Sequence, residues 1–221
     1  MQRSFDIIFS FLAIIILLPF LIGISIILKF TGEGEVLFKQ DRIGKKKQLF
    51  KVFKFATMLK NSPVIGSKTI TLLNDDRILP VGFILRKTKI NELPQLLNII
   101  LGEMSVVGPR PLTEENFSKY SKADQELISQ VSPGLSGVGS IIFRNEERML
   151  LSNENSREFY DEVISPYKSS LERWYIKKKS TKIYFLIIFL TLWVILFSNS
   201  NLIWKVFKDL PNIPNKLKGR L

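Results

Sequence analysis

Cysteine and histidine are both missing from the 221 residues. Their absence removes disulfides, thiolate nucleophiles, imidazole general bases and the usual zinc ligand sets together. Any catalysis therefore runs on carboxylates, lysine, arginine, tyrosine, hydroxyls or a magnesium-like ion. Negative charge is scarce as well: 20 acidic residues stand against 32 basic ones, for a formal charge of +12. That excess asks for an anionic partner, and nucleic acid, anionic lipid and phosphorylated substrates all qualify. The length suits one domain with a real core plus an appended segment.

Two apolar runs dominate what is present. Ile7 to Leu28 is almost unbroken, and as a helix it would extend roughly 33 Å, enough for the ~30 Å hydrocarbon core. No small-x-small cleavage site follows it, which argues against a signal peptide. Pro19 deletes a backbone hydrogen bond mid-way and predicts a bend. A plain transmembrane helix and a re-entrant helix with both ends cytoplasmic both fit. Cations at both ends and a lysine-rich following loop favour the second. The other run, Ile183 to Phe197, follows Lys177, Lys178, Lys179 and Lys182. With Trp193 and Trp204 nearby, it predicts a helix lying in the headgroup region, a second transmembrane helix being the alternative. The tail from Lys205 onward reads as a basic surface arm.

Between these runs the signals are local. Phe30 to Leu49 reads as loop and short strands, with Lys45, Lys46 and Lys47 at a tip. That tip is either a solvated turn or a lipid contact at ~1 kcal/mol per cation. Phe50 to Leu59 predicts a strand running into a helix. Asn61 to Gly66 is a turn, and Asn74 to Arg77 is a turn or cap, with a metal set as the alternative. Thr113-Glu114-Glu115 opens a helix that runs through Tyr120 to Val131. Pro133 to Gly139 is a glycine-rich turn whose Gly134 and Gly137 allow close backbone approach to a ligand. Glu146 to Tyr175 is polar and helical in character.

Polar chemistry concentrates from Val81 to Pro111, VGFILRKTKINELPQLLNIILGEMSVVGPRP. Acidic groups that can hold a divalent cation stand here among cations that can hold phosphate, a pairing that chemistry on a nucleotide diphosphate needs. The stretch resembles the core of the bacterial sugar transferases, the monotopic phosphoglycosyl transferases. Their pattern reads L-R-K-T-S-L-D-E-L-P-Q-L through to G-D-M-S-L-V-G-P-R-P. Phe38 to Gly44 resembles the same family's F-x-Q-x-R-x-G stretch, and Pro133 to Gly137 its P-G-L-T-G element. Four positions depart. Asn91 stands for the Asp of the Asp-Glu pair, Ala56 for an arginine, and Leu18 for the serine before the helix proline. Ser140 to Arg144 replaces W-A-Q-V-N-G-R, although Arg144 keeps the cation.

The resemblance implies an α+β, mostly helical monotopic membrane protein with an N-terminal re-entrant helix and interfacial amphipathic helices. Residues 1–30 would form the re-entrant helix, 31–182 a cytoplasmic catalytic domain, and 183–221 an interfacial helix with a basic tail. It further implies transfer of a sugar phosphate from a UDP-sugar to a polyprenol phosphate such as undecaprenyl phosphate, releasing UMP. Such a step starts surface polysaccharide assembly at the cytoplasmic face of the bacterial inner membrane, with magnesium as cofactor and inner-membrane lipid as partner. Glu92 would be the magnesium-associated carboxylate, with Asn91 beside it. Arg86, Arg110 and Arg144 would hold phosphate, and Gly134 and Gly137 would let backbone approach substrate. A nucleic-acid partner is not expected, because the cations are spread along the chain and no recognition motif accompanies them.

In the family the Asp attacks the β-phosphorus and forms a covalent phosphosugar-enzyme. An amide is neutral and a poor nucleophile, so three readings of Asn91 stay open. Asn91 positions substrate while Glu92, Asp76 or Glu103 attacks; the polyprenol phosphate attacks directly; or the chain is an impaired membrane-surface partner of an active transferase. The sugar, the glycan pathway and the oligomeric state are left open.

Overall fold

A computed structural model describes residues 2–62, 75–151 and 155–220. The chain opens with α1, Gln2–Thr31, which continues through Pro19 without interruption. At a rise of about 1.5 Å per residue it is roughly 45 Å long. By length and composition it could cross a membrane. Its packing is one-sided: Asp6, Ser10, Ile24 and Leu28 are buried, while Phe11, Ile15, Ile16 and Ile26 are exposed.

Both ends of α1 rest on the same body. At its start the Asp6 carboxyl accepts from Ser105 Oγ at 2.8 Å, Val106 N–H at 2.9 Å and the Tyr184 hydroxyl at 2.8 Å. Arg3 Nη2 donates to the Ile100 carbonyl at 2.8 Å. In the middle, Ala13 and Ile14 pack against Phe50, Val52, Leu96, Ile99 and Met104. At its end, Ile24 and Leu28 pack with Phe55 and Leu85.

Strands β1 (Leu37–Ile43) and β2 (Leu49–Phe55) form an antiparallel hairpin with Leu37 opposite Phe55. The lysine tip between them is docked. Lys46 N–H donates to the Ser129 carbonyl at 2.7 Å, and Lys47 pairs with Glu126. The helix expected after the strand does not form. Residues 56–59 stay extended, and Met58 bridges Ile78. Residues 63–66 and Asn74, parts of two expected turns, lie outside the described residues. Asp75 and Arg77 do form a turn, closed by an ion pair of 2.6 Å.

Helix α2 (Pro80–Lys87) starts on its proline, which suits a first-turn position that needs no N–H donor. Helix α3 (Gln95–Leu101) follows Pro94 and ends at Gly102, whose φ of 91° forms a left-handed cap. Then come β3 (Ser105–Val107), α4 (Glu114–Phe117) and α5 (Lys122–Ile128). The single helix expected from Thr113 is thus two. Ser121 accepts the Asp124 N–H at 3.1 Å and starts a second helix where the first would have continued. Strand β4 (Gly134–Ser136) pairs parallel with β3. The rest is helical: α6 (Val138–Ile142), α7 (Glu146–Leu151), α8 (Ser156–Phe159), a π-helical turn (Tyr160–Ile164), α9 (Ser165–Lys178), α10 (Thr181–Leu196) and α11 (Leu202–Val206). The outcome is α+β and mostly helical, as expected.

The main core is built chiefly by α6, α9 and α10. Ile164, Leu171, Ile187, Leu190, Val138 and Leu217 are all fully buried in it. Each such side chain contributes about 1.5–3 kcal/mol, more than the roughly 0.5–1.5 kcal/mol of a typical hydrogen bond. Two expectations are corrected here. The segment read as polar, 146–175, supplies much of the core, including Leu150, Tyr167, Leu171 and Trp174. The tail is no surface arm: Leu217 is fully buried, the Phe207 ring lies 5.1 Å from that of Trp174 at a tilt of 59°, and the Tyr167 hydroxyl donates to the Pro211 carbonyl at 2.9 Å. Phe207, Leu210, Ile213 and Leu217 carried the signal, hidden among the cations. Helix α10 faces both ways, with Tyr184, Ile187, Leu190 and Val194 inward and Phe185, Phe189, Leu192 and Ile195 exposed.

Candidate functional site

Asn91 and Glu92 sit in a single 3-10 turn, Ile90–Glu92, between α2 and α3. Lys89 ahead of it takes a left-handed φ of 61°, which reverses the chain and turns Glu92 toward β2. Glu92 Oε1 accepts from Arg110 Nη2 at 2.9 Å and from Lys54 Nζ at 3.3 Å. A third cation stands close by on β1. Arg42 Nη1 donates to the Pro111 carbonyl at 3.2 Å, and its charge acts on both Arg110 and Glu92.

Burial alone would raise the Glu92 carboxyl. The charges of Arg110, Lys54 and Lys89 outweigh it and hold the group well below the usual carboxylate range. Glu92 in turn raises Arg110. Lys54 moves the other way, because burial and the two guanidiniums outweigh the pull of Glu92. Burial, reinforced by repulsion from Arg110, brings Arg42 down to about 10. Two permanently charged guanidiniums, Arg110 and Arg42, and a lysine lowered to about 7 around one carboxylate leave an excess of positive charge, which is what a phosphate-bearing ligand requires.

Arg110 is aimed by the loop that follows β3. Gly108 N–H donates to the Ser136 carbonyl at 2.9 Å, and Gly134 N–H to the Pro109 carbonyl at 2.7 Å. A Cβ on Gly134 would meet Gly108 N at 2.0 Å, and one on Gly137 would meet Gly108 O at 2.4 Å. The close approach these glycines allow is therefore to the Gly108 backbone, where the sequence suggested a ligand. The Arg110 N–H also donates to Glu172 Oε1 at 3.4 Å. Glu172 is 3% exposed, and burial pushes its carboxyl up to about 7. Beside it Lys168 pairs with Glu146 at 2.6 Å and lies 5.2 Å above the Tyr160 ring.

Of the expected residues, Glu92 and Arg110 are in direct contact. Arg86 Nη1 meets Met58 Sδ at 3.7 Å. Arg144 is half-buried in the link after α6, and no hydrogen bond or ion pair joins it to Glu92 or Arg110 among the described residues. Asp76 lies in an exposed turn, and Glu103 accepts from Asn98 Nδ2 at 2.6 Å. Sequence reading missed Lys54, Glu172, Glu146, Lys168 and Tyr160. It quoted Arg42 within F-x-Q-x-R-x-G without giving it a role. Glu172 had no local signal, since it reaches Arg110 across 62 residues.

The family model for bacterial sugar transferases matches residues 1–198. The chain belongs to this family. Among curated relatives, the exopolysaccharide production protein ExoY of Sinorhizobium fredii is 38% identical over 159 residues, covering 66% of this chain and 70% of that protein. The exopolysaccharide production protein PSS of Rhizobium leguminosarum bv. phaseoli is 46% identical over 110 residues, 50% of this chain and 55% of its own. The UDP-glucose:undecaprenyl-phosphate glucose-1-phosphate transferase of Klebsiella pneumoniae is 37% identical over 164 residues, 72% of this chain. This chain spans only 35% of the length of that protein.

Magnesium, implied by the resemblance, can be tested against the donors this sugar transferase offers. Asn91 is 6% exposed, and its Oδ1 has no hydrogen-bond partner. A buried oxygen left so costs about 1–3 kcal/mol, which suggests an acceptor kept for a ligand. Among the described residues no cluster of three Asp, Glu, His or Cys could hold an ion alone. Magnesium is commonly held by one or two carboxylates plus substrate phosphates and water. Glu92 with the Asn91 oxygen fits such an ion when the donor's phosphates complete the set.

Proposed function

We propose that this transferase moves a sugar phosphate from a UDP-sugar to undecaprenyl phosphate or a related polyprenol phosphate, releasing UMP and starting surface polysaccharide assembly. The observation that carries this reading is the convergence of Arg42, Lys54 and Arg110 on Glu92, beside a helix whose outer face is apolar. Arg110 offers a guanidinium fork to phosphate oxygens, while Lys54 supplies a point charge. Magnesium, when bound with the donor through Glu92 and Asn91, adds neutralisation of the diphosphate. The activity for which the Klebsiella relative is named supports the substrate class.

The membrane arrangement belongs to the same proposal. Helix α1 lies along the body with Asp6 and Leu28 both packed on it, so its apolar face meets lipid while both ends stay on the cytoplasmic side of the inner membrane. The soluble nucleotide then reaches the cation ring from the cytoplasm, and the acceptor phosphate reaches it at headgroup depth. UDP-glucose, UDP-galactose and UDP-N-acetylglucosamine, each offered with undecaprenyl phosphate to the full chain in nanodiscs, test the reading by UMP release. UMP formed only when the lipid is present supports it, and no release with any pair overturns it. The Asn91 amide favours one competing reading, a membrane-surface partner of an active transferase. That reading wins if Asn91→Asp turns over where wild type does not.

A further inference from the structure

The carboxylates around the cation ring that could attack phosphorus are either paired or buried. Glu92 shares its charge between Arg110 and Lys54. Glu146 is paired with Lys168 at 2.6 Å. Glu172 is 3% exposed, faces the Arg110 N–H, and has the Gly139 backbone pressed against it. Position 91, which adjoins Glu92, offers an amide whose nitrogen lone pair is delocalised into its carbonyl. The chain holds no thiol and no imidazole. The Tyr160 phenol is raised by burial, so it stays protonated at neutral pH.

An incoming lipid phosphate differs from all of these. The second ionisation of a phosphate monoester lies near pH 6, whereas a free glutamate ionises near pH 4.3, so the acceptor's oxygen is the more basic one. It also arrives ionised, and no general base is needed to activate it. The ring can receive it: Arg42, Arg110 and the lowered Lys54 surround Glu92 while Lys168 offsets Glu146, and the remaining positive charge holds two phosphate-bearing groups against each other. The Asn91 oxygen and nitrogen are left to orient them.

Resting on the sugar-phosphate transfer proposed above, we infer that this chain works in one step, with the acceptor's phosphate oxygen attacking the β-phosphorus while both substrates are bound. The lone pair of that oxygen forms the new P–O bond. The bond from the β-phosphorus to the bridging oxygen breaks, and its electron pair leaves with UMP. Atoms and charge balance without an enzyme-bound phosphosugar, and no proton moves.

The test uses the full chain in nanodiscs with undecaprenyl phosphate and whichever of the three UDP-sugars gives UMP. One-step transfer predicts intersecting double-reciprocal lines for the two substrates. It also predicts no passage of labelled UMP into UDP-sugar above the no-enzyme background when lipid is absent, and inversion at a chiral β-phosphorothioate. Parallel lines, exchange without lipid, retention at phosphorus or a phosphosugar adduct detected by mass spectrometry would each overturn it while leaving the transfer reading intact. Asn91→Asp run in parallel separates the two claims. Should that variant turn over while wild type is inert, both the transfer reading and the one-step inference fall for this chain.

Discussion

Glu92 stands between Arg110 and Lys54, so neutralising it leaves two cations facing each other. Its side chain is 14% exposed against 39% for Arg110, so the interaction is partly screened. Glu92→Gln is expected to cost about 2 kcal/mol in urea unfolding, with UMP release falling alongside. Because the Glu92 carboxyl is held below its ordinary value of 4.5, the pair's contribution is complete above that value. It fades only as pH falls below it toward the folded value. The cost of Glu92→Gln should therefore be the same at pH 6 and pH 5, below the range in which Lys54, lowered to about 7, changes charge, and smaller at pH 3. Equal costs at pH 5 and pH 3 would show the carboxyl is not held low. This residue was legible in the sequence because Asn91-Glu92 falls where the family pattern carries its Asp-Glu pair. Lys54 was not, because one lysine among several on a strand gains meaning only when the hairpin brings it to Glu92.

At the scale of elements, α9 carries an uncomfortable charge. Burial pushes Glu172 from 4.5 up to about 7. Across that window the unfolded chain releases its proton first, so stability falls as pH rises and the full penalty is present above pH 7. Glu172→Gln is therefore expected to melt higher than wild type at pH 8, with the gap closing near pH 5. A shift of that size corresponds to at most about 3 kcal/mol. Equal melting curves at both pH values would refute the assignment. The β3–β4 pair makes the opposite demand, for space. Gly134→Ala puts a Cβ 2.0 Å from Gly108 N, so it should cost roughly 1–3 kcal/mol and move Arg110 away from Glu92. Thermal unfolding together with UMP release checks both effects. Sequence reading found these glycines and assigned them to a ligand, because a glycine-rich turn looks the same whether substrate or backbone fills the space.

The whole molecule is organised by α1 and the main core, which meet where Phe5 and Phe9 pack on the core and Tyr184 donates to Asp6. If α1 re-enters, Ser4→Cys and Thr31→Cys, both at exposed positions in a chain without cysteine, should react with a membrane-impermeant maleimide from the same side of the bilayer. Labelling from opposite sides would establish a spanning helix instead. The tail offers a second test. Leu217 is fully buried in the main core, so Leu217→Asp should cost about 3 kcal/mol, read as a lower melting temperature of the chain in detergent. An unchanged melting temperature would return the tail to the surface.

Taken alone, the order of residues was enough for the long apolar N-terminal helix and for the carboxylate and guanidinium at positions 92 and 110 that the fold brings into contact. Each of these rests on neighbours close in the chain. Only the packed molecule decided that Arg42 and Lys54 join Glu92, that Glu172 lies beneath Arg110, and that the cationic tail closes the core. Those contacts join residues far apart in sequence, and burial rather than residue type sets their energies and charges.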